Sequence, residues 1–305
     1  MKNIKILLLV VLSLHFFKWG ALAQSKDLFL PENGKKWLLI GQDNKSVAEY
    51  MRAIKMVPDG FMVYTSIQEM QGLIEESDYG AGPQNFQELV GRYPKVSFLQ
   101  VGLYMVGALE DVVQGKLDGN IDRLSDWIKK SDKKIFLRIG YEFDLPENHY
   151  EPALYVKAWR HIVERMDRNQ VKNVVYVWHS YAASSRKIEP WYPGDDVVDW
   201  CALSYFYAGA KNAQILEFAK IHQKPLMIAE ATPRGMNSSK NPDIWSAWYQ
   251  DFFDFIEDKN VQAICYINAN WDDQPMWKNQ NWGDSRIQTN PKLKKKWLSK
   301  IKIYR

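Results

Sequence analysis

The chain has 305 residues and a formal net charge of +4, and 46% of its residues are hydrophobic. That length holds one large core, and a charge this close to balance gives no bulk electrostatic argument for a nucleic-acid partner. Only two cysteines are present, Cys201 and Cys265, so a fold of this size rests on its core and not on a disulfide framework.

The first segment, "MKNIKILLLVVLSLHFFKWGALAQ", sets Lys2 and Lys5 before an apolar run and ends it with Ala21-Leu22-Ala23. This is the pattern of a signal peptide cut after Ala23, and it predicts a secreted or periplasmic protein. Removing residues 1–23 leaves 282 residues and takes away Lys2, Lys5 and Lys18, so the charge falls to +1. An uncleaved anchor is the alternative, but the run is short of the ~20 apolar residues a span needs and Lys18 interrupts its end. No cysteine follows the run to carry a lipid.

Eight β-rich runs follow, at 36–42, 61–67, 95–104, 134–142, 173–179, 199–206, 224–230 and 262–268. Segments of helical periodicity separate most of them, at 47–56, 121–130, 152–168, 213–222 and 243–257. Strands alternating with helices predict a parallel sheet, and eight such units predict one α/β domain over residues 24–305, a single (β/α)8 TIM barrel. The terminal "PKLKKKWLSKIKIY" spaces Leu293, Trp297, Leu298 and Ile301 as one helix face, so its lysines read as the solvated side of a last barrel helix. Cys201 and Cys265 fall in the sixth and eighth strands, which are not neighbours, and are expected to be buried free thiols. No internal repeat, flexible linker or low-complexity stretch interrupts this organisation.

Barrel sites form at the C-terminal ends of the strands. In "LRIGYEFD", strand alternation places Ile135, Leu137, Ile139 and Tyr141 on one face and Arg138, Gly140 and Glu142 on the other. Arg138 and Glu142 alone would fit a structural ion pair. Glu230, at the end of "KPLMIAE", supplies a second carboxylate, expected to share a face with Leu226 and Ile228 and to enter the same mouth from another wall. Two facing carboxyl groups are what glycoside hydrolysis requires, one to protonate the leaving oxygen and one to act as nucleophile or base.

Other chemistries lack their residues. His149, His161, His179 and His222 are scattered without metal-ligand spacing, no Gly-x-Ser-x-Gly elbow is present, and "YGAGPQN" is a turn and not a phosphate loop, so neither a metal nor a cofactor is expected. Aromatic residues gather where a sugar would bind: Trp178 and His179 end the fifth strand, Tyr205 and Phe206 the sixth, and Trp271 follows the eighth, with Trp191, Trp277 and Trp282 in nearby loops.

The segments "LRIGYEFD", "YVKAWRHIVERM", "NVVYVWHS", "WYPGDDVVDWCALSYF", "KPLMIAEATP" and "INANW" resemble the retaining (β/α)8 glycoside hydrolases of clan A, and more narrowly glycoside hydrolase family 26, which contains endo-β-mannanases and β-1,3-xylanases. The resemblance implies that Glu142 is the general acid/base and Glu230 the nucleophile of an endo-acting, retaining enzyme. It also implies that Tyr205 hydrogen-bonds the nucleophile and that Trp271 is the platform under the sugar. Arg138, Tyr141, Trp178, His179 and Asn268, near the ends of their strands, are expected to complete the sugar-binding set, Arg138 by keeping the carboxylates ionised and oriented. Tyr141 stands where mannanases of the family carry His, and "GYEFD" is more similar to the β-1,3-xylanase branch.

The partner so implied is a polysaccharide, with no nucleic acid and no membrane span in the mature chain, acted on by a monomer. Arg186, Lys187, Lys211, Arg234, Lys278 and Arg286, in loops after strands five to eight, raise the alternative of an anionic substrate such as a sulfated galactan of the carrageenan type. A third reading, exo action or transglycosylation, depends on whether the loops close one end of the cleft. A barrel that binds glycan without cleaving it is the reading from another class.

Overall fold

The computed structural model describes residues 26–80, 82–182, 185–209 and 214–304. The expected signal segment, residues 1–23, lies outside the described residues, as does Lys211.

Eight strands of the described residues close into a parallel barrel: β1 (Trp37–Gly41), β2 (Gly60–Ser66), β3 (Phe98–Tyr104), β4 (Lys134–Ile139), β5 (Val174–Ser180), β6 (Trp200–Tyr205), β7 (Leu226–Ala231) and, after a two-residue strand β8 (Met236–Asn237), β9 (Ala263–Ile267), which pairs back onto β1. A further short strand, β10 (Gly283–Asp284), pairs with β8 in the loops that follow β7 and β9. Each barrel strand overlaps one of the runs expected from the sequence.

The helices are α1 (Asn44–Ile54), α2 (Phe86–Arg92), α3 (Leu109–Val113), α4 (Asp118–Ser131), α5 (Pro152–Arg168), α6 (Gln214–Ile221), α7 (Gln250–Asp258), entered through a π turn over Trp245–Tyr249, and α8 (Pro291–Ile301). Local chemistry fixes several starts. Asp43 accepts from the Ser46 amide ahead of α1, while Glu151 and Asn290 cap α5 and α8 just before a proline in the first turn. Helices α2 and α3 were not expected from periodicity, because 7 and 5 residues are too few to display a 3.6-residue repeat.

Alternation along the strands divides the core into two layers. Leu39, Met62, Phe136, Val177, Trp200 and Met227 fill the barrel interior. Their strand neighbours, such as Leu38, Leu137 and Leu203, pack outward against helix residues including Trp159, Trp248 and Trp297. Aliphatic and aromatic residues on both faces are what a parallel sheet covered by helices requires. At the N-terminal end of the barrel, the Leu28 and Phe29 carbonyls accept from the Trp200 and Trp37 indole N–H groups, and the Phe29 ring meets Phe136 edge-on at 5.9 Å. That end is therefore plugged by packing, and chemistry is left to the other.

Both cysteines are buried and free, Cys201 facing the helices and Cys265 the interior. No helix among the described residues is long and apolar enough to cross a membrane.

Candidate active site

The expected fourth strand stops short. β4 ends at Ile139, and Gly140 follows with φ +54°, in the left-handed region. A β-carbon on Gly140 would lie 2.7 Å from the Met105 methyl and 2.8 Å from the Tyr155 ring, so both the conformation and the space call for glycine. The alternation that grouped Tyr141 with Ile135, Leu137 and Ile139 ends there. Tyr141 instead turns to the interior cluster, its ring stacked 6.5 Å from that of His179.

Glu142 also lies in the left-handed region, with φ 51°, an uncommon place for a non-glycine residue. Its neighbours hold it there: Asn148 Nδ2 and the Leu145 amide donate to the Glu142 carbonyl, and the Phe143 amide donates to the His179 carbonyl. Asp144 locks the same loop to β5 by accepting from Ser180 Oγ at 2.9 Å and the Tyr181 amide at 2.7 Å.

Glu230 reaches the mouth by a different device. Strict alternation on β7 would send it outward with Leu226 and Ile228, so the reason expected from the sequence was wrong although the destination is the barrel mouth. Leu203 pairs with Ile228 but Ser204 pairs with Glu230, and on the other side Ile228 and Ala231 pair with Ile264 and Tyr266. One extra residue, Ala229, is accommodated as a β-bulge, and the face of the strand switches after it. Gln100, projecting across the interior from β3, donates to the Ala229 carbonyl at 2.8 Å and satisfies the group that the bulge removes from the ladder.

Arg138 joins these parts. Its side chain is completely buried, with Nη1 2.5 Å from Glu230 Oε1 and 3.2 Å from His179 Nδ1, and Nη2 3.1 Å from Met62 Sδ. The guanidinium carbon lies 5.3 Å from the Tyr64 ring centre and 5.0 Å from that of Tyr141. Space for it comes from Gly102, its register partner on β3, where a β-carbon would stand 2.8 Å from Nη2. Burial works against the charge on Arg138, but the Glu230 carboxylate beside it, with Tyr64 and Tyr141 adding to its effect, outweighs that and raises the group above its ordinary range.

Glu142 is in the opposite state. Burial and the nearby Glu230 charge push its carboxyl up to about 8; a hydrogen bond from Ser204 and the Arg138 charge oppose that rise, and Asp144 adds to it. Ser204 Oγ donates to Glu142 Oε1 at 2.6 Å, and His179 Nε2 lies 3.0 Å from the same hydroxyl. The mouth thus holds a carboxyl group whose burial and neighbours favour its protonated form and a carboxylate paired with arginine. Two carboxyl groups in opposite surroundings face one space.

Of the other expected residues, His179 points into the barrel and Trp271 lies in the interior aromatic cluster, its indole N–H donating to Thr232 Oγ1 at 3.2 Å and its ring 4.8 Å from Trp282. Asn268 is fully buried at the end of β9, where Oδ1 accepts from the Ile287 amide. Two expectations fail. Trp178 faces the helices, stacked 4.3 Å from Phe143 and fully buried, so it supports the Glu142 loop from behind and touches no sugar. Tyr205 also faces outward, and its hydroxyl donates to Asp251 on α7, not to Glu230. The tyrosine beside the Glu230 carboxylate is Tyr64 on β2, whose hydroxyl donates to Gln42 Oε1 at 3.0 Å.

Sequence reasoning missed Tyr64, Gln42, Gln100 and Ser204. The signal was a polar residue inside an otherwise apolar strand, as in "FLQVGLY" and "CALSY". Among the basic loop residues, Arg286 pairs with Asp284 and Glu49, while Arg234 lies 4.1 Å over the Trp282 ring.

A sequence profile of glycosyl hydrolase family 26 matches residues 103–280, the stretch that carries Arg138, Glu142, His179, Ser204, Glu230 and Trp271. The chain belongs to this family. A β-1,3-xylanase of a Vibrio species is 35% identical over 289 residues, covering 85% of this chain and 63% of that protein. One from an Alcaligenes species is also 35% identical, covering 90% and 65%. The chain therefore spans a little under two thirds of the length of these relatives. Among solved structures, the family 26 β-mannanase of Bacteroides ovatus superposes with a TM-score of 0.63 at 15% identity over 90% of this chain and 89% of that one, a likeness of fold.

Proposed function

We propose that the protein is a secreted, retaining endo-β-glycosidase of family 26, with β-1,3-xylan as the first candidate substrate. The observation that carries this reading is the pair of carboxyl groups in one barrel mouth, Glu142 buried and accepting from Ser204, and Glu230 paired with the buried Arg138. Glu142 gives its proton to the glycosidic oxygen as Glu230 attacks the anomeric carbon. Glu142, now a base, then takes a proton from the water that releases the sugar from Glu230. Tyr141 and Trp271 are read as the sugar contacts, with the buried His179 behind Tyr141 as its support, and the leader-like residues 1–23 support export. The 35% identity to two β-1,3-xylanases and the Tyr141 position favour xylan over mannan.

Arg234 favours a second reading: among the described residues it has no carboxylate partner, and it lies against the aromatic wall at Trp282, where a sulfated galactan could be read. A reducing-end assay of the mature chain on β-1,3-xylan, β-mannan, β-glucan and sulfated galactan, with Glu230→Gln as the blank, separates these. Release from β-1,3-xylan is the expected result. Release from the galactan alone would make the substrate anionic, and binding without release from any polymer would point to a glycan-capture protein.

A further inference from the structure

We propose that His179 and Ser204 form a one-way hydrogen-bond relay from Arg138 to Glu142, and that this relay fixes Glu142 Oε2 as the oxygen that carries the catalytic proton. This rests on the reading of Glu142 as the proton donor. Each link has its direction set by chemistry. Arginine can only donate, so Arg138 Nη1, which gives one hydrogen to Glu230 Oε1, gives the other to His179 Nδ1 at 3.2 Å. An imidazole that accepts at Nδ1 is neutral and carries its hydrogen on Nε2, and that hydrogen points to Ser204 Oγ at 3.0 Å. The serine hydroxyl, having accepted, donates to Glu142 Oε1 at 2.6 Å. Oε1 is then occupied as an acceptor, and the proton is left to Oε2.

Burial surrounds the chain of contacts: Arg138 and His179 are fully buried and Ser204 is 4% exposed, so water does not compete for these bonds. His179 cannot switch to the charged form, because burial and the adjacent Arg138 hold it well below its ordinary value. No proton travels along the relay. In glycosylation the Oε2 proton passes to the glycosidic oxygen as its bond to the anomeric carbon breaks, and in deglycosylation Oε2 regains a proton from water while the water oxygen bonds to that carbon and Glu230 leaves. The relay keeps the same oxygen in use for both steps and stabilises Glu142 when it is ionised between them.

The charged and titratable groups around Glu142 are Glu230 from β7, Arg138 from β4, Asp144 on its own loop, and the phenols of Tyr141, Tyr150 and Tyr181. None of these is altered in a Ser204→Ala variant, which removes only the donor that favours the ionised carboxylate. The basic limb of the kcat/KM profile should therefore move up by about one pH unit, the scale of a lost hydrogen bond to a charged group, and Ser204→Thr should restore it. A basic limb that stays in place in a folded Ser204→Ala protein would overturn the proposal.

A second measurement needs neither substrate nor variant. Nitrogen-15 NMR of histidine-labelled protein should show His179 neutral and protonated at Nε2 at pH 7, and a proton on Nδ1 would break the relay at its first link. If the wild-type chain cleaves no glycan, the glycosidase reading fails while this spectrum still decides the relay.

Discussion

Replacing Glu230 by glutamine is expected to lower kcat on the polysaccharide by roughly 10⁵- to 10⁶-fold, the scale on which loss of a covalent nucleophile is felt. Glutamine preserves the shape of the side chain and an oxygen that can accept from Arg138 Nη1, so the barrel should still fold and bind glycan, with a lower Tm from the Arg138 charge left without its carboxylate. It cannot form the ester to the anomeric carbon. Burst and steady-state kinetics, with affinity electrophoresis as the binding control, test this. A folded Glu230→Gln protein within tenfold of wild type would remove Glu230 from the chemistry. It would also leave the bulge at Ala229 without the functional reason given to it here, since that extra residue and its Gln100 partner serve to turn Glu230 inward.

The largest loss of stability is expected from Arg138→Met. Arg138 is fully buried and its partner Glu230 nearly so. Removing one member of such a pair leaves an uncompensated charge in a low-dielectric site, at a cost of about 3–5 kcal/mol. In a domain of this size that lowers Tm by on the order of 10 °C. The double variant Arg138→Met, Glu230→Gln removes the stranded charge as well, so it should melt above the single Arg138→Met protein. Thermal unfolding of the four proteins in the cycle gives the coupling directly. If the two losses simply added, the pair would be no more than two independent contacts and Arg138 would not be the group that compensates the buried Glu230 charge.

Much of the barrel was legible because eight apolar runs separated by helix-length segments admit few other architectures. The glutamates were legible as well, since a carboxylate at the end of a buried strand stands out by composition alone. Orientation was harder. Trp178 and Tyr205 end strands that are apolar on both faces, and periodicity then gives the alternation without saying which phase points inward. The polar residue one position away held the answer in each case: His179 and Ser204 face the mouth, so their neighbours Trp178 and Tyr205 must face the helices. At Glu142 and Glu230 the backbone departs from a regular strand, by left-handed residues in one case and by an inserted residue in the other. Such departures follow from tertiary contacts, Gln100 with Ala229 and Asn148 with Glu142, that join positions far apart in the chain or on a folded loop. Departures of this kind concentrate at functional sites, where local rules yield to geometry.

In the proposed reaction Glu230 forms a bond to the sugar while Glu142 moves the proton. Incubating the mature protein with a 2-deoxy-2-fluoro-xylobioside bearing a dinitrophenol leaving group, then mapping its peptides by mass spectrometry, tests this directly. A fluoroglycosyl adduct is expected on the peptide that contains Glu230, and none in the Glu230→Gln protein. An adduct on another residue, or hydrolysis of the substrate with inverted anomeric configuration and no adduct, would contradict it.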